Sequence, residues 1–102
     1  MSEIANTPKP PYYAVIFTSF RTGGDNGYAE AAKHILEIAR QQPGFLGYES
    51  ARQNMGVSVS YWESLEAIRT WREHPEHIKV QERASEWYSA NRIRVCRVEK
   101  EY

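Results

Sequence analysis

The residues with the clearest chemical potential lie in one stretch, YWESLEAIRTWREHPEH, at positions 61–77. Trp71 carries an indole N–H that can donate a hydrogen bond to a substrate oxygen. Imidazole titrates at about pH 6.5, so His74 can act as a base if its ring points inward. His74 and His77 are spaced as two metal ligands on one helical face would be. Because Pro75 interrupts the helix between them and no third ligand lies nearby, we predict no metal site.

Three further polar residues have simpler interpretations. His34 falls on the charged face of a helix and is expected to be solvated. Glu49 and Arg52 alternate on the second strand and face opposite sides, and for Glu49 we favour an ion pair at an interface over a buried acid. Cys96 has no paired histidine in a known motif and is expected to be a buried, small apolar residue. The chain also contains no Gly-rich phosphate loop, nucleophile elbow or dinucleotide fingerprint.

The overall composition narrows the class of protein. Among 102 residues, thirteen basic and thirteen acidic side chains cancel, which argues against a nucleic-acid partner. One cysteine permits no internal disulfide and fits a reducing compartment. No apolar leader or membrane-length apolar run is present. We therefore expect a cytoplasmic protein that binds neither nucleic acid nor membrane.

Hydrophobic periodicity predicts the elements that must position these side chains. Residues 1–11 contain three prolines and are expected to form a flexible N-terminal arm, followed by one domain at 12–102. Ser64 is suited to begin a second helix, and Pro75 is suited to restart it. The predicted strands are 12–20, 45–52, 57–62 and 93–98, and the first helix begins at Tyr28 and ends near Ala39.

This order is β-α-β-β-α-β, the split βαβ or ferredoxin-like arrangement of the α+β class. It predicts a four-stranded antiparallel sheet with helices on one face. Strand 12–20 is apolar on both sides, whereas a sheet with one wet face should alternate apolar and polar residues. We therefore expect a second copy of the chain to cover the other face, which gives a homodimer.

Several segments resemble the antibiotic biosynthesis monooxygenase family. The segment PGFLGYE at 43–49 resembles the motif that opens the family's second strand. The segment VSVSYWES at 57–64, followed by AIRTW at 67–71, resembles its strand-to-helix junction. The resemblance covers about residues 12–102 and implies a dimeric α/β barrel.

The resemblance also implies a function and a set of site residues. Cofactor-independent members oxidise anthrones and quinols in an apolar pocket, and this chemistry needs few protein groups. The implied catalytic residues are Trp71 and His74, and the pocket walls are Phe17, Tyr48 and Tyr88. The expected ligand is a small apolar or aromatic molecule, with no cofactor.

The haem-degrading branch of the family fits less well. Its members carry an Asn in the first strand and a haem-ligating His ten residues after the helical Trp. Here the first strand has no Asn, and the position ten after Trp71 is Gln81. Two alternatives stay open beside the oxygenase: a non-catalytic member that binds a small ligand, and an isomerase or decarboxylase on the same barrel.

Overall fold

The protein was analysed as a computed structural model that describes residues 3–102. It confirms the ferredoxin-like α+β fold: a four-stranded antiparallel sheet of order β2-β3-β1-β4 with the helices on one face. The elements are β1 (Tyr12–Arg21), α1 (Tyr28–Ala39), β2 (Phe45–Arg52), β3 (Met55–Trp62), α2 (Leu65–Arg72), α3 (Pro75–Glu82), α4 (Ala84–Trp87) and β4 (Tyr88–Val98).

Strand register separates the two faces of this sheet. Tyr13 lies opposite Trp62, and both pack in the main core beneath the helices. Because side chains alternate along a strand, Val15, Phe17 and Ser19 share this helix face. The intervening residues define an open face, which no helix covers. Its apolar members include Ile16, Phe20, Met55, Val57, Val59 and Val98.

Local signals set where α2 and α3 begin. The hydroxyl of Ser64 accepts the backbone N–H of Ala67 at 3.0 Å, as expected for an N-cap. Pro75 takes the first position of α3, where its missing N–H costs no hydrogen bond. Both predicted helix starts are confirmed.

Helix α1 begins at a glycine rather than at a residue with a capping side chain. Gly27 is the N-cap residue, with φ of 81°, and provides no side-chain hydrogen bond. Asp25 instead accepts the backbone N–H groups of Gly27 and Ala29, at 2.9 and 3.3 Å. Glycine suits this position because it adopts the left-handed conformation without a steric penalty.

Two predictions on β4 are wrong. The strand begins at Tyr88 rather than at residue 93, because the polar segment 88–92 finds backbone partners along the end of β1. Cys96 is exposed rather than buried. It lies opposite Ala14 on the open face of an edge strand, where no element of the same chain covers it.

Residues 3–11 form no helix or strand and lie against the open face. The Ala5 backbone N–H donates to the Glu49 carboxylate at 3.4 Å. Thr7 donates to the Tyr12 hydroxyl, which in turn donates to the Glu101 carboxylate. The arm therefore touches both the sheet and the C-terminal segment, and its flexibility stays a prediction. No helix within residues 3–102 has the length and apolar character needed to cross a membrane.

Candidate functional site

Trp71 is buried at the centre of the helix–sheet layer. Its ring stacks on Trp62, with centroids 6.3 Å apart and planes 25° apart. Trp62 is fully buried and meets the edge of Phe45 at 5.4 Å. Only 7% of Trp71 is exposed, so packing accounts for most of its surface.

The indole N–H of Trp71 nevertheless differs from those of the other two tryptophans. Trp62 donates to the Ser60 hydroxyl and Trp87 to the Asn26 carbonyl, each at 2.9 Å. No acceptor for Trp71 Nε1 lies among residues 3–102. In the same range, no side-chain nitrogen or oxygen is both sealed from solvent and without a hydrogen-bond partner. The Trp71 N–H must therefore reach accessible space.

His74 occupies the corner between α2 and α3 and serves as the N-cap of α3. Its Nδ1 accepts the backbone N–H of Glu76 at 3.1 Å. An accepting Nδ1 carries no proton, so the neutral ring holds its proton on Nε2. The basic lone pair of His74 is thus engaged by the backbone, and its free nitrogen is a donor.

His77 lies on the first turn of α3 with its ring against Trp71. The two rings stack 4.6 Å apart at 20°. Its Nδ1 lies 3.1 Å from the backbone carbonyl oxygen of Trp71, and because a carbonyl only accepts, Nδ1 is the donor. The lone pair of the neutral ring is therefore on Nε2. Burial lowers the pKa of His77. The hydrogen bond to the Trp71 carbonyl acts in the opposite direction, and Arg72 and His74 add to the lowering.

A second aromatic cluster lies at the other end of β1. Tyr88 meets Phe17 edge to face at 5.1 Å and Tyr28 at 5.7 Å. Tyr28 also contacts Trp87 at 6.1 Å, and the Arg21 guanidinium lies 3.6 Å above the Tyr28 ring. Burial, followed by a hydrogen bond with Tyr28, raises the pKa of Tyr88.

Arg52 extends this second cluster toward the β2–β3 hairpin. It donates to the hydroxyl of Ser19, the most buried polar side chain among residues 3–102. Its positive charge opposes the upward shift of the Tyr88 pKa. Arg52 lies opposite Gly56, and a Cβ at that glycine would collide with the guanidinium. The small residue therefore leaves room for the arginine to cross β3.

Tyr48 lies apart from Phe17 and Tyr88 on the same helix face. It is paired with Ser60, which is paired in turn with Val15. The neighbouring positions on this face are Ser50 and Ser58, both half-buried. In the segment VSVSYW at 57–62, the valines lie on the open face and the hydroxyls of Ser58 and Ser60 lie beneath the helices. Sequence analysis missed this alternation.

An open groove of about 490 Å³ lies between α2, α3 and β4. Its volume falls within the range typical of small-molecule sites, about 300–1,000 Å³. Ile68 connects it to the core, since it lies one helical turn before Trp71 and packs in the same cluster. The groove is lined by Leu65, Ile68, Arg69, Arg72, Glu73, Ile78, Gln81 and Val95.

The predicted site residues are thus divided among several places. Phe17 and Tyr88 are brought together, whereas Trp71 and His74 lie at the other end of β1 and Tyr48 lies apart. None of the five lines the groove. Gln81, at the position of the haem ligand in the haem-degrading branch, lines the groove and donates to the Arg72 carbonyl at 3.0 Å. Within residues 3–102, no group of three potential metal-binding side chains occurs.

Comparison with solved structures shows the fold that this chain shares with known proteins. SnoaB from Streptomyces nogalater, a cofactor-independent oxygenase, superimposes with a TM-score of 0.77 over 90% of this chain and 97% of its own, at 12% identity. Protein SO0527 from Shewanella oneidensis gives 0.77 over 94% of this chain and 98% of its own, at 9% identity. The TM-scores establish a shared fold. Because the identities are low, they do not establish a shared activity.

Sequence comparison then gives the family. The profile of the family described as antibiotic biosynthesis monooxygenase matches residues 11–83. The uncharacterized protein YqjZ of Bacillus subtilis (strain 168) is 45% identical over 104 aligned residues, which cover 99% of this chain and 91% of the relative. This chain belongs to the antibiotic biosynthesis monooxygenase family, as its motifs at 43–49 and 57–71 had indicated.

Proposed function

We propose that the protein is a cofactor-independent monooxygenase that oxidises a small, electron-rich aromatic or quinol-type molecule. One observation carries the proposal: a ligand-sized groove between α2, α3 and β4 is lined by Ile68, which packs in the same core cluster as Trp71. The oxygenase SnoaB, which has the same fold, makes this chemistry a reasonable starting point.

The substrate supplies all the electrons in this reaction. An anthrone loses a proton to become a stabilised anion, which reduces O₂ by one electron. The two radicals combine, and the ring CH₂ becomes a carbonyl. One oxygen atom enters the product, and the other leaves as water with the two hydrogens. The protein needs only to bind, deprotonate and orient the substrate while excluding bulk water.

The groove is suited to these tasks. Ile68, Ile78 and Val95 offer apolar contact from both layers. Arg69 and Arg72 place guanidinium groups at the rim, where they would favour the deprotonated substrate. Trp71 does not line the groove but packs in the same cluster as Ile68, which does. In this proposal its indole N–H donates to the developing oxyanion.

The groove can be tested by filling it. We expect wild-type protein to consume oxygen with dithranol, a hydroxyanthrone, and Val95→Trp to reduce kcat/KM at least about tenfold by occupying the binding volume. Ile93→Trp is the matched control, because Ile93 lies on the same strand and face, with 40% exposure against 47%, but does not line the groove. Equal losses in both variants would argue against the groove.

A ligand-binding protein without turnover is the alternative. It is favoured by the close packing of Trp71, which leaves its ring little room to approach a substrate. Dithranol binding that Val95→Trp weakens, without oxygen uptake by the wild type, would support this alternative and contradict the oxygenase.

We also propose that the open face is the interface of a homodimer. It presents apolar side chains on adjacent strands, among them Ile16 and Val59, which are directly paired. Ile16→Lys would place a charge beside Arg94 at the centre of this face and should yield monomers in sedimentation velocity. Leu65→Lys, exposed on the helix side, is the control that should leave the oligomeric state unchanged. A monomeric wild type at micromolar concentration would refute the dimer.

A further inference from the structure

We infer that His77, rather than His74, is the general base that deprotonates the substrate beside Trp71. This inference rests on the proposed oxygenase function and specifies which nitrogen accepts the proton. It follows from the opposite tautomers that the backbone imposes on two imidazoles at one corner of the fold.

The hydrogen bonds at this corner determine both tautomers. His74 Nδ1 accepts from the Glu76 N–H, so its proton is on Nε2. His77 Nδ1 donates to the Trp71 carbonyl, so its Nε2 keeps the lone pair. A general base needs an available lone pair, and between these two rings only His77 offers one.

The free nitrogen of His77 is also accessible. Its Nε2 has no hydrogen-bond partner among residues 3–102. Because every solvent-sealed side-chain nitrogen or oxygen in this range has a partner, Nε2 must be accessible to solvent. The same reasoning places Trp71 Nε1 at accessible surface. The two rings stack 4.6 Å apart, so the ring with the free acceptor, His77, lies against the ring with the free donor, Trp71. In this proposal a phenol or enol gives its proton to the acceptor and directs the resulting oxygen to the donor.

Burial, above all, keeps His77 in its neutral, basic form. Arg72, from α2, and His74, from the corner, act in the same direction, whereas the hydrogen bond to the Trp71 carbonyl favours the protonated ring. Once protonated, the imidazolium would lie against the π face of Trp71, which favours a cation. The ring can therefore hold the proton briefly and release it afterwards.

The proposed step is a proton transfer alone. The O–H bond of the substrate's phenol or enol breaks, its electron pair stays on the substrate oxygen, and the proton moves to Nε2 of His77. Trp71 Nε1–H then stabilises the oxyanion. Electron transfer to O₂ follows as described above, and the proton returns when the reduced oxygen leaves as water.

His77→Asn is the sharpest variant, because the asparagine amide can replace Nδ1–H as donor to the Trp71 carbonyl but has no basic nitrogen. His74→Asn is its counterpart, since the amide oxygen can still accept from Glu76 and Asn is a favoured N-cap. His34→Asn, on the exposed face of α1, is the control. Retained far-UV circular dichroism would show that each variant folds.

The first measurement is the absorbance of the dithranol anion on mixing with protein without oxygen. We expect wild type, His74→Asn and His34→Asn to generate the anion, and His77→Asn to lose at least about 90% of it. General-base catalysis contributes about 10²–10⁴-fold in rate, so oxygen uptake should fall in that range for His77→Asn when air is admitted.

The outcomes separate the two proposals. Anion formation without oxygen uptake would contradict the proposed oxygenase function but would support His77 as the general base. Wild-type amounts of anion in His77→Asn, or no anion in the wild type, would overturn the base. Nitrogen-15 NMR gives an independent readout: a neutral His77 protonated on Nε2 would also refute the assignment.

Discussion

Two aromatic clusters lie at opposite ends of strand β1, beneath the helices. They differ in whether their polar atoms have hydrogen-bond partners. The indole–imidazole cluster contains Trp71 and His77, near the Tyr13 end of the strand. The tyrosine–arginine cluster contains Tyr28, Tyr88 and Arg52, near Arg21. Tyr13 and Phe17 are four residue steps apart on β1, a distance of about 13 Å along the strand.

Burial is the first cause of the pKa shift at both ends, with opposite chemical consequences. It lowers the pKa of His77, which is neutral without its extra proton and therefore accepts. It raises the pKa of Tyr88, which is neutral with its proton and therefore donates. Tyr88 also has Tyr28 as a partner, whereas Trp71 Nε1 and His77 Nε2 have none in the described chain. The same desolvation thus favours a proton acceptor at one end and a proton donor at the other.

The largest expected contrast is in activity. Trp71→Phe removes the free donor and should lower kcat for dithranol oxidation by about 10²–10³-fold, the typical cost of losing one oxyanion-stabilising donor. Tyr88→Phe removes a hydroxyl that already has a partner and should change kcat less than about threefold. Oxygen-electrode kinetics would measure both, and a comparable loss in Tyr88→Phe would place chemistry at the tyrosine–arginine end.

The two ends should also differ in how stability depends on pH. Because the pKa of His77 is lowered in the folded state, the unfolded chain binds a proton first below about pH 6.5. The contribution of neutral His77 to the free energy of unfolding is therefore lost as pH falls through the lowered pKa of the folded state. Urea unfolding of wild type and His77→Asn should show a steeper acidic loss in the wild type; parallel curves would contradict the burial of His77.

At the tyrosine–arginine end, stability is lost as pH rises rather than as it falls. The folded pKa of Tyr88 is raised, so stability is fully present below about pH 10 and is lost as pH rises toward the folded value. Tyr88→Phe should reduce this alkaline loss only in part. Tyr61, whose pKa burial raises to about 12, contributes in the same direction. An unchanged alkaline slope in Tyr88→Phe would show that Tyr88 is solvated.

The smallest contrast concerns the two caps that orient the indole–imidazole cluster. Ser64→Ala leaves the Ala67 N–H without its acceptor and should lower the free energy of unfolding by about 1 kcal/mol. His74→Asn retains an acceptor and should cost less than about 0.5 kcal/mol. Urea denaturation resolves this difference, and equal losses would show that the histidine contributes more than a cap.

Much of the fold could be predicted because its signals are local. Ser64 and Pro75 begin helices through contacts within one turn, and their effects hold in any surrounding structure. The start of β4 could not be predicted, because residues 88–92 become a strand only through pairing with β1. Cys96 was misplaced for a related reason: its exposure follows from the place of β4 at the edge of the sheet, which is set by long-range pairing with β1.

For the site, sequence alone determined the family motifs and the corner at Pro75, since these depend on residue type and short spacing. Tertiary structure decided which histidine can accept a proton. That property depends on whether Nδ1 meets a backbone N–H, as in His74, or a carbonyl, as in His77. The two residues have identical side chains, and only the path of the backbone around Pro75 distinguishes them.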